Sequence, residues 1–275
     1  MATQEPDDRI VVDIGNSFVK VARIDQWHEE DLDFPKVSQS FEMSPHCDLG
    51  EELQRWGIER HTIFYISSVN RKTLKRFYAG LDGLTAECST VVVSHTDFSL
   101  PIKIDHPDRI GTDRLAAATA VNLLRNQRRA AIVVDAGSAI TIDAVSREGA
   151  FLGGSILAGV RMSADVLAQG TDLLPWVQYD PLRNPPCILG TSTQSAILSG
   201  LFWGTLGAVR EVVVRLSESM EGEVDLFVSG GDARRLTDFL PTARFVPQLV
   251  LSGIVIAARN VESRKNADRR TQAEG

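Results

Sequence analysis

Apolar and polar positions alternate in short blocks along this 275-residue chain. Residues 9–25 read RIVVDIGNSFVKVARID, and residues 130–146 read AAIVVDAGSAITIDAVS. Each block opens with a β-branched apolar run, passes through Asp-x-Gly and resumes an alternating apolar pattern. That pattern predicts strand, tight glycine turn, strand, with an aspartate at the tip of each hairpin. The two aspartates, Asp13 and Asp135, stand 122 residues apart. The spacing is too long for a solenoid repeat and fits two copies of a domain.

The segments after the hairpins extend the repeat. The first is followed by a predicted helix at 49–56, a strand at 61–67, a helix at 71–81, a strand at 90–94, a polar Pro-bearing segment at 97–108 and a helix at 113–127. The second is followed by a strand at 150–156, a helix at 160–169, a Pro-rich insertion at 175–186, a long helix at 193–217, a strand at 224–228, and helices at 233–240 and 249–261. In both halves strands come first and then alternate with helices, which predicts a mixed sheet with helices on its faces, made twice. The basic run at 125–129 marks the expected boundary. It reads as a solvated helix end rather than a binding patch, because the helix dipole favours cations there. The expected domains are therefore 1–128 and 129–262, with a nucleotide cleft between them, and a charged, aperiodic tail at 263–275 expected to be disordered.

Composition narrows the function. With 29 Lys+Arg against 36 Asp+Glu the net charge is −7, which argues against a dedicated nucleic-acid or anionic-membrane binder. The 43% hydrophobic content is too high for a disordered chain. No stretch is read as reaching the ~18 apolar residues of a membrane span, and residues 1–9 are polar with no apolar signal core. Cys47, Cys88 and Cys187 are odd in number and lack metal-ligand spacing, so a reducing cytoplasm is expected. His28, His46, His61, His95 and His106 form no zinc motif, and any metal should be a hard cation on carboxylates and phosphates.

Three places could carry chemistry. The run Asp13-Ile14-Gly15-Asn16-Ser17-Phe18-Val19-Lys20 offers a glycine turn whose backbone N–H groups can approach a phosphate. Asn16 and Ser17 add donors, Lys20 adds a point charge, and Asp13 could hold Mg²⁺ through water. The related turn around Asp135, Gly137 and Ser138 could clamp phosphates from a second side, though each turn alone could be a plain hairpin. Asp143, further along, is either a surface strand carboxylate or part of this site. In Gly111-Thr112-Asp113-Arg114, Thr112 reads as a helix N-cap. The adjacent Asp113 and Arg114 could accept a hydroxyl proton and hold an anion, respectively. Glycines at 153, 154 and 159, at 190, and at 230 and 231 stand at turns next to helices, where a nucleotide could approach.

In order, DIGNSFVK, GTDRLAAA, DAGSAITID, GGSILAG, GTSTQSAILSG and VSGGDA resemble the type III pantothenate kinases, over roughly residues 9–260. That resemblance implies an α/β fold of duplicated ribonuclease H-like (actin-like ATPase) domains, each a mixed five-stranded sheet flanked by helices. It implies ATP-dependent phosphorylation of pantothenate to 4′-phosphopantothenate, in a cytoplasmic homodimer needing neither nucleic acid nor membrane. Residues Asp13, Ile14, Gly15, Asn16, Ser17, Phe18, Val19 and Lys20 would form the first phosphate motif, with Asp13 near Mg²⁺. Gly111, Thr112, Asp113 and Arg114 would bind pantothenate, with Asp113 as general base, and Thr193 would also touch it. Asp135 would hold K⁺ or NH₄⁺, Ser138 would contact ATP, and Gly230 and Gly231 would lie on the adenosine side. Ser17 and Ser138 stand where the family commonly has Thr and keep the hydroxyl. Ile104 stands where an aromatic is frequent. A regulatory protein on the same scaffold and a kinase for another small substrate are the alternative readings. The long helix at 193–217 could be buried core or a dimer face.

Overall fold

A computed structural model describes residues 8–25, 27, 33–58, 61–84, 87–180 and 184–274. The polar residues 1–7, His28 and residues 181–183 of the Pro-rich segment lie outside the described residues. In chain order the elements are β1 (Asp8–Ile14), β2 (Val19–Ile24), β3 (Val37–Met43), α1 (Leu49–Arg55), β4 (Thr62–Ser68), α2 (Arg71–Asp82), β5 (Cys88–Val92) and α3 (Thr112–Leu124). There follow β6 (Ala130–Ala136), β7 (Ala139–Val145), β8 (Phe151–Ala158), α4 (Val160–Gln169), α5 (Thr193–Ser219), β9 (Val224–Ser229), α6 (Ala233–Thr237), β10 (Ala243–Phe245) and α7 (Leu249–Glu274). The chain forms two compact units. The first comprises Met1–Leu100, Asp105–Leu124 and Gln248–Gly275, and the second Pro101–Ile104 and Arg125–Pro247.

Each unit holds one mixed five-stranded sheet, ordered β3-β2-β1-β4-β5 in the first and β10-β9-β6-β7-β8 in the second. In the first, β1/β2 and β2/β3 are antiparallel, and β1/β4 and β4/β5 parallel. In the second, β6/β7 and β7/β8 are antiparallel, and β6/β9 and β9/β10 parallel. The two sheets match strand for strand, so the repeat visible in two hairpins extends to the whole topology, and the expected α/β fold class holds.

Alternation along the strands decides which face meets the helices. In the first sheet Ile10, Val12, Ile14, Val19, Val21, Phe64 and Ile66 pack against Leu49 and Leu53 of α1 and Phe77 and Leu81 of α2. In the second, Ile132, Val134, Ile140, Ile142 and Val228 pack against Phe202, Leu206 and Val209 of α5. At roughly 1.5–3 kcal/mol for each fully buried aliphatic or aromatic side chain, these faces dominate the stability of each unit. The residues between them, Val11 and Asp13 in β1 and Val133 and Asp135 in β6, face the other way.

The ends of the chain are arranged differently from the sequence reading. The second domain was expected to run to residue 262, yet α7 belongs to the first unit. Its small residues explain why. A Cβ at Gly253 would collide with the carbonyl group of Ala116 in α3, so the two helix backbones touch, and Ala257 and Ala258 are fully buried nearby in sequence. The tail expected to be disordered continues α7 as far as Glu274. Its Arg, Lys, Ala and Gln residues are good helix formers, and Arg264 pairs with Asp97. The run at 125–129 follows the end of α3 at Leu124 and is exposed at Asn126, Gln127 and Arg128, as a solvated helix end would be, but its first and last arginines bond to the protein. Arg125 is buried and donates to the Arg129 carbonyl at 2.7 Å, while Arg129 pairs with Asp225 at 3.1 Å. By length and composition α5 does meet the membrane-span criterion, contrary to the sequence reading. Its Ile197, Leu201, Phe202, Leu206 and Val209 are buried within the second unit.

The contact of α3 with α7 gives a stability test. Gly253→Ala forces the helices apart, and overpacking of this kind costs about 1–3 kcal/mol. The urea midpoint should fall with an unchanged slope. A wild-type midpoint would mean the two backbones do not approach as described.

Candidate active site

In the first unit the hairpin closes through Gly15 N–H, which donates to the Phe18 carbonyl at 3.0 Å. Ile14 and Val19 are fully buried in the core, so they offer a ligand only backbone, while Asn16 at the tip is exposed. Cross-strand register sets one row on the opposite face: Glu42 of β3, Lys20 of β2, Asp13 of β1 and Ser67 of β4. Lys20 pairs with Glu42 at 3.5 Å, so the point charge expected for a phosphate is already held beside a carboxylate.

The base candidate sits at the start of α3. The helix opens from the Gly111 carbonyl, which accepts from Arg114 N–H at 3.2 Å and Leu115 N–H at 3.4 Å. Gly111 therefore takes the cap position, and Thr112, expected there, is the first helical residue. Its hydroxyl is instead hydrogen-bonded to Ser67 Oγ at 2.8 Å. Asp113 Oδ1 accepts from the Arg114 backbone N–H at 2.9 Å. A Cβ at position 111 would collide with that oxygen, so glycine there leaves room for the carboxylate. Burial pushes the Asp113 carboxyl up, against the Arg114 N–H bond and guanidinium, which pull it down.

In the second unit the turn between β6 and β7 is gripped by two glycines. Gly159 N–H donates to the Ser138 carbonyl at 3.1 Å, and Asp232 N–H donates to the Ala136 carbonyl at 3.0 Å. Gly230 has φ +100°, and a Cβ there would collide with Ala136. Only glycine takes that conformation and that approach comfortably. Two of the glycines read separately in the sequence, Gly159 and Gly230, thus meet at Asp135–Ser138, whereas Gly153 lies near Ile104, Gly154 approaches Ile142 and Asp143, Gly190 approaches Ala196, and a Cβ on Gly231 would meet nothing within 4 Å. The row here comprises Ile156, Thr141, Asp135 and Ser229. Asp143 is fully buried, which removes the surface reading. Thr193 starts α5, just after the reciprocal cap of Ser192 and Ser195. It borders an open cavity of about 890 Å³ also lined by Leu167, Leu174, Gly190 and Leu201.

The family model for type III pantothenate kinases matches residues 9–215. The chain belongs to the type III pantothenate kinase family. A type III pantothenate kinase of Rhodopirellula baltica is 40% identical over 180 residues, 64% of this chain and 63% of that protein. One from Legionella pneumophila strain Corby is 39% identical over 167 residues, 58% of this chain and 61% of that protein. The chain thus spans less than two thirds of the length of these relatives. Among solved structures, a Campylobacter jejuni chain provisionally described as a conserved Baf family transcriptional activator covers 94% of this chain and 99% of its own, with TM-score 0.58 and 19% identity. At that identity the likeness shows the fold alone.

Within this pantothenate kinase fold, the first unit brings Asp13–Lys20 and Gly111–Arg114 to the end of β4, where Ser67 bonds Thr112, Val69 N–H donates to the Ile14 carbonyl and Asn70 bonds Asn16, and the second gathers Asp135, Ser138 and Gly230. Sequence reading missed Ser67, Asn70 and Glu42. One signal was present for Ser67: the polar Ser67-Ser68 pair ends an apolar strand with parallel neighbours, where α/β sheets place their ligands. It also missed Asp232, whose carboxyl is pushed up to about 6 by burial, with Arg161 and Arg235 pulling it down. Its ordinary value is 3.8. Below both values it is neutral folded or unfolded and costs nothing, and above about 6 the folded protein carries a buried charge. Asp232→Asn should therefore match wild type in Tm below pH 4, gain in relative stability as pH rises from about 4 to 6, and hold that lead above 6. A gap that stays flat across that range would contradict the buried carboxyl.

Proposed function

We propose that this chain transfers the γ-phosphoryl group of ATP to the primary hydroxyl of pantothenate, giving 4′-phosphopantothenate and ADP, the first step of coenzyme A biosynthesis. The observation that carries the reading is Asp113: a carboxylate at the first turn of α3, in the Gly-x-Asp-Arg motif, with room made for it by Gly111. The family match over residues 9–215 supplies the substrate class. The pantothenate hydroxyl oxygen attacks the γ-phosphorus, the bond from that phosphorus to the bridging oxygen breaks, and Asp113 takes the hydroxyl proton. Arg114, next to it, suits the carboxylate of pantothenate, and Thr193 adds a hydroxyl. In the first unit the backbone of Gly15–Phe18, with Lys20, would meet phosphates, and in the second Ser138, Gly230 and Gly231 would meet the nucleotide. Phosphoryl transfer depends on positioning and charge neutralisation, which these groups supply.

Two cations fit the donors present. Among the described residues no three His, Cys, Asp or Glu side chains cluster, so Asp13 would hold Mg²⁺ as a single carboxylate beside phosphate oxygens, as Mg²⁺ sites commonly are built. Asp135, in a row with the hydroxyl residues Thr141 and Ser229, offers oxygen donors suited to K⁺ or NH₄⁺. Both ions would neutralise phosphate charge. A cytoplasmic homodimer is part of the same reading. Met162 and Val166, exposed one turn apart on α4, support it, as apolar surface commonly marks interfaces. The net charge of −7 disfavours the regulatory alternative as a direct DNA binder.

An ATP-coupled assay comparing pantothenate with sugars and short-chain acids tests the substrate, and turnover of a sugar alone would overturn it. Asp113→Asn should lower kcat by about 10²–10⁴-fold and keep ATP binding; near-normal turnover removes Asp113 as the base. The base works ionised and burial raises its pKa, so kcat/KM should fall with decreasing pH through a value above 3.8. Omission of K⁺ and NH₄⁺ should lower turnover sharply, and equal rates in Na⁺ alone would dismiss the site at Asp135.

A further inference from the structure

The end of β4 and the two residues after it, Ser67-Ser68-Val69-Asn70, touch both halves of the first-unit site. Ser67 is fully buried and is the register partner of Asp13. Its Oγ lies 2.8 Å from Thr112 Oγ1, one residue before Asp113. Val69 N–H donates to the Ile14 carbonyl at 3.1 Å, and a Cβ on Gly111 would sit 3.5 Å from Val69 Cγ1. Asn70 Nδ2 donates to Asn16 Oδ1 at 3.3 Å, and its Oδ1 accepts from Thr73 N–H at 3.1 Å, fixing the start of α2. One short segment is thus bonded to the phosphate turn at Asn16 and to the base-bearing turn at Thr112.

We infer that Ser67 is a positioning residue: through its hydrogen bond to Thr112 it holds the first turn of α3, and with it the Asp113 carboxylate, at a fixed distance from Asp13. The chemistry requires this. A nucleophile and a phosphorus must meet in line, and a displacement of about 1 Å costs on the order of 10²-fold in rate. A side-chain bond from the sheet to Thr112 restrains the one residue between the Gly111 cap and the base. With Gly111 at the cap, the Thr112 hydroxyl bonds the sheet rather than its own helix. Ser229 occupies the matching strand position beside Asp135 in the second unit, so the Asp–Ser pairing survives in both copies of the topology.

The inference rests on the proposed kinase reading for its rate effect, and a titration makes it testable apart from that reading. Ser67→Ala, Thr112→Val and the double variant are compared with Thr112→Ser, which keeps the hydroxyl. Phosphoryl transfer to pantothenate is measured alongside the titration of a ¹³C-labelled Asp113 carboxyl. Ser67→Ala and Thr112→Val should each lower kcat by about 10- to 100-fold, with KM for ATP within about twofold of wild type. The double variant should be no worse than either single one, because both remove one bond, and Thr112→Ser should stay near wild type. In both single variants the Asp113 titration should move down toward the ordinary carboxylate range as water reaches the loosened turn. Additive losses, equal changes in kcat and KM, or an unmoved titration would overturn the inference. A wild-type protein that binds ATP but does not phosphorylate pantothenate would sink the function instead, and the Asp113 titration would still decide Ser67.

Discussion

The approach of α7 to α3 determines where Asp113, the proposed base, can be. Gly253 lets the backbone of α7 rest against Ala116, and α3 is buried from Leu115 through Val121. A helix enclosed that far has little freedom to slide or rotate, because interiors are packed at near-crystalline density. Its two ends reach partly into solvent, the first turn at Thr112 to Arg114 and the last at Asn122 to Leu124. Thr112 to Arg114, the proposed substrate-binding turn, therefore sit on the end of a rigid rod whose far side is clamped by α7. Sequence-distant residues, 253 and 116, fix the position of residue 113.

That constraint explains which parts of the fold were legible. The hairpins showed through because both faces of β1 and β6 obey short-range rules: β-branched runs, a glycine turn and a return strand. Most of the remaining strands and helices lie within a few residues of their predicted places for the same reason. Strand β3 was invisible because VSQSFEM, at the edge of its sheet, is largely polar and half exposed, so it carries no alternation to read. Strand β10 has only three residues. The division into units failed at its C-terminal end for a different reason. Nothing local in LVLSGIVIAARN says which sheet the helix covers, and the answer lies in a glycine that matches an alanine more than a hundred residues earlier.

The site divides in the same way. Residues that act through backbone or through a motif, such as Gly15, Asp113 and Gly230, were legible because turns and helix starts restrict residue type. Residues that act through a neighbour were not. Ser67 looks like the polar end of a strand until the structure sets its Oγ against Thr112. Thr112 itself was assigned to the helix cap, the ordinary use of a threonine there, and its actual partner comes from another strand. Gly159 and Gly230 read as weak, separate loop glycines, and their shared purpose appears only when both are seen to grip the Asp135 turn.

Duplication also shows how one topology came to offer two kinds of site. The matching rows are Glu42, Lys20, Asp13, Ser67 and Ile156, Thr141, Asp135, Ser229. The inner pair, aspartate beside serine, is the same in both, so each strand end keeps one carboxylate with a hydroxyl neighbour. The outer pair differs in kind. Lys20 with Glu42 gives the first row a cation balanced by an anion. Thr141 with Ile156 gives the second row a fixed hydroxyl and an apolar wall, with no cation to offer. In both rows the formal charge is one negative, so an ion drawn to either aspartate must be positive. An anionic substrate meets protein charge of its opposite sign in the first row alone, and in the second it must rely on backbone N–H groups and a bound cation. The acidic balance of the whole chain is therefore compatible with phosphate chemistry, because the positive charge is supplied locally and, for the rest, recruited.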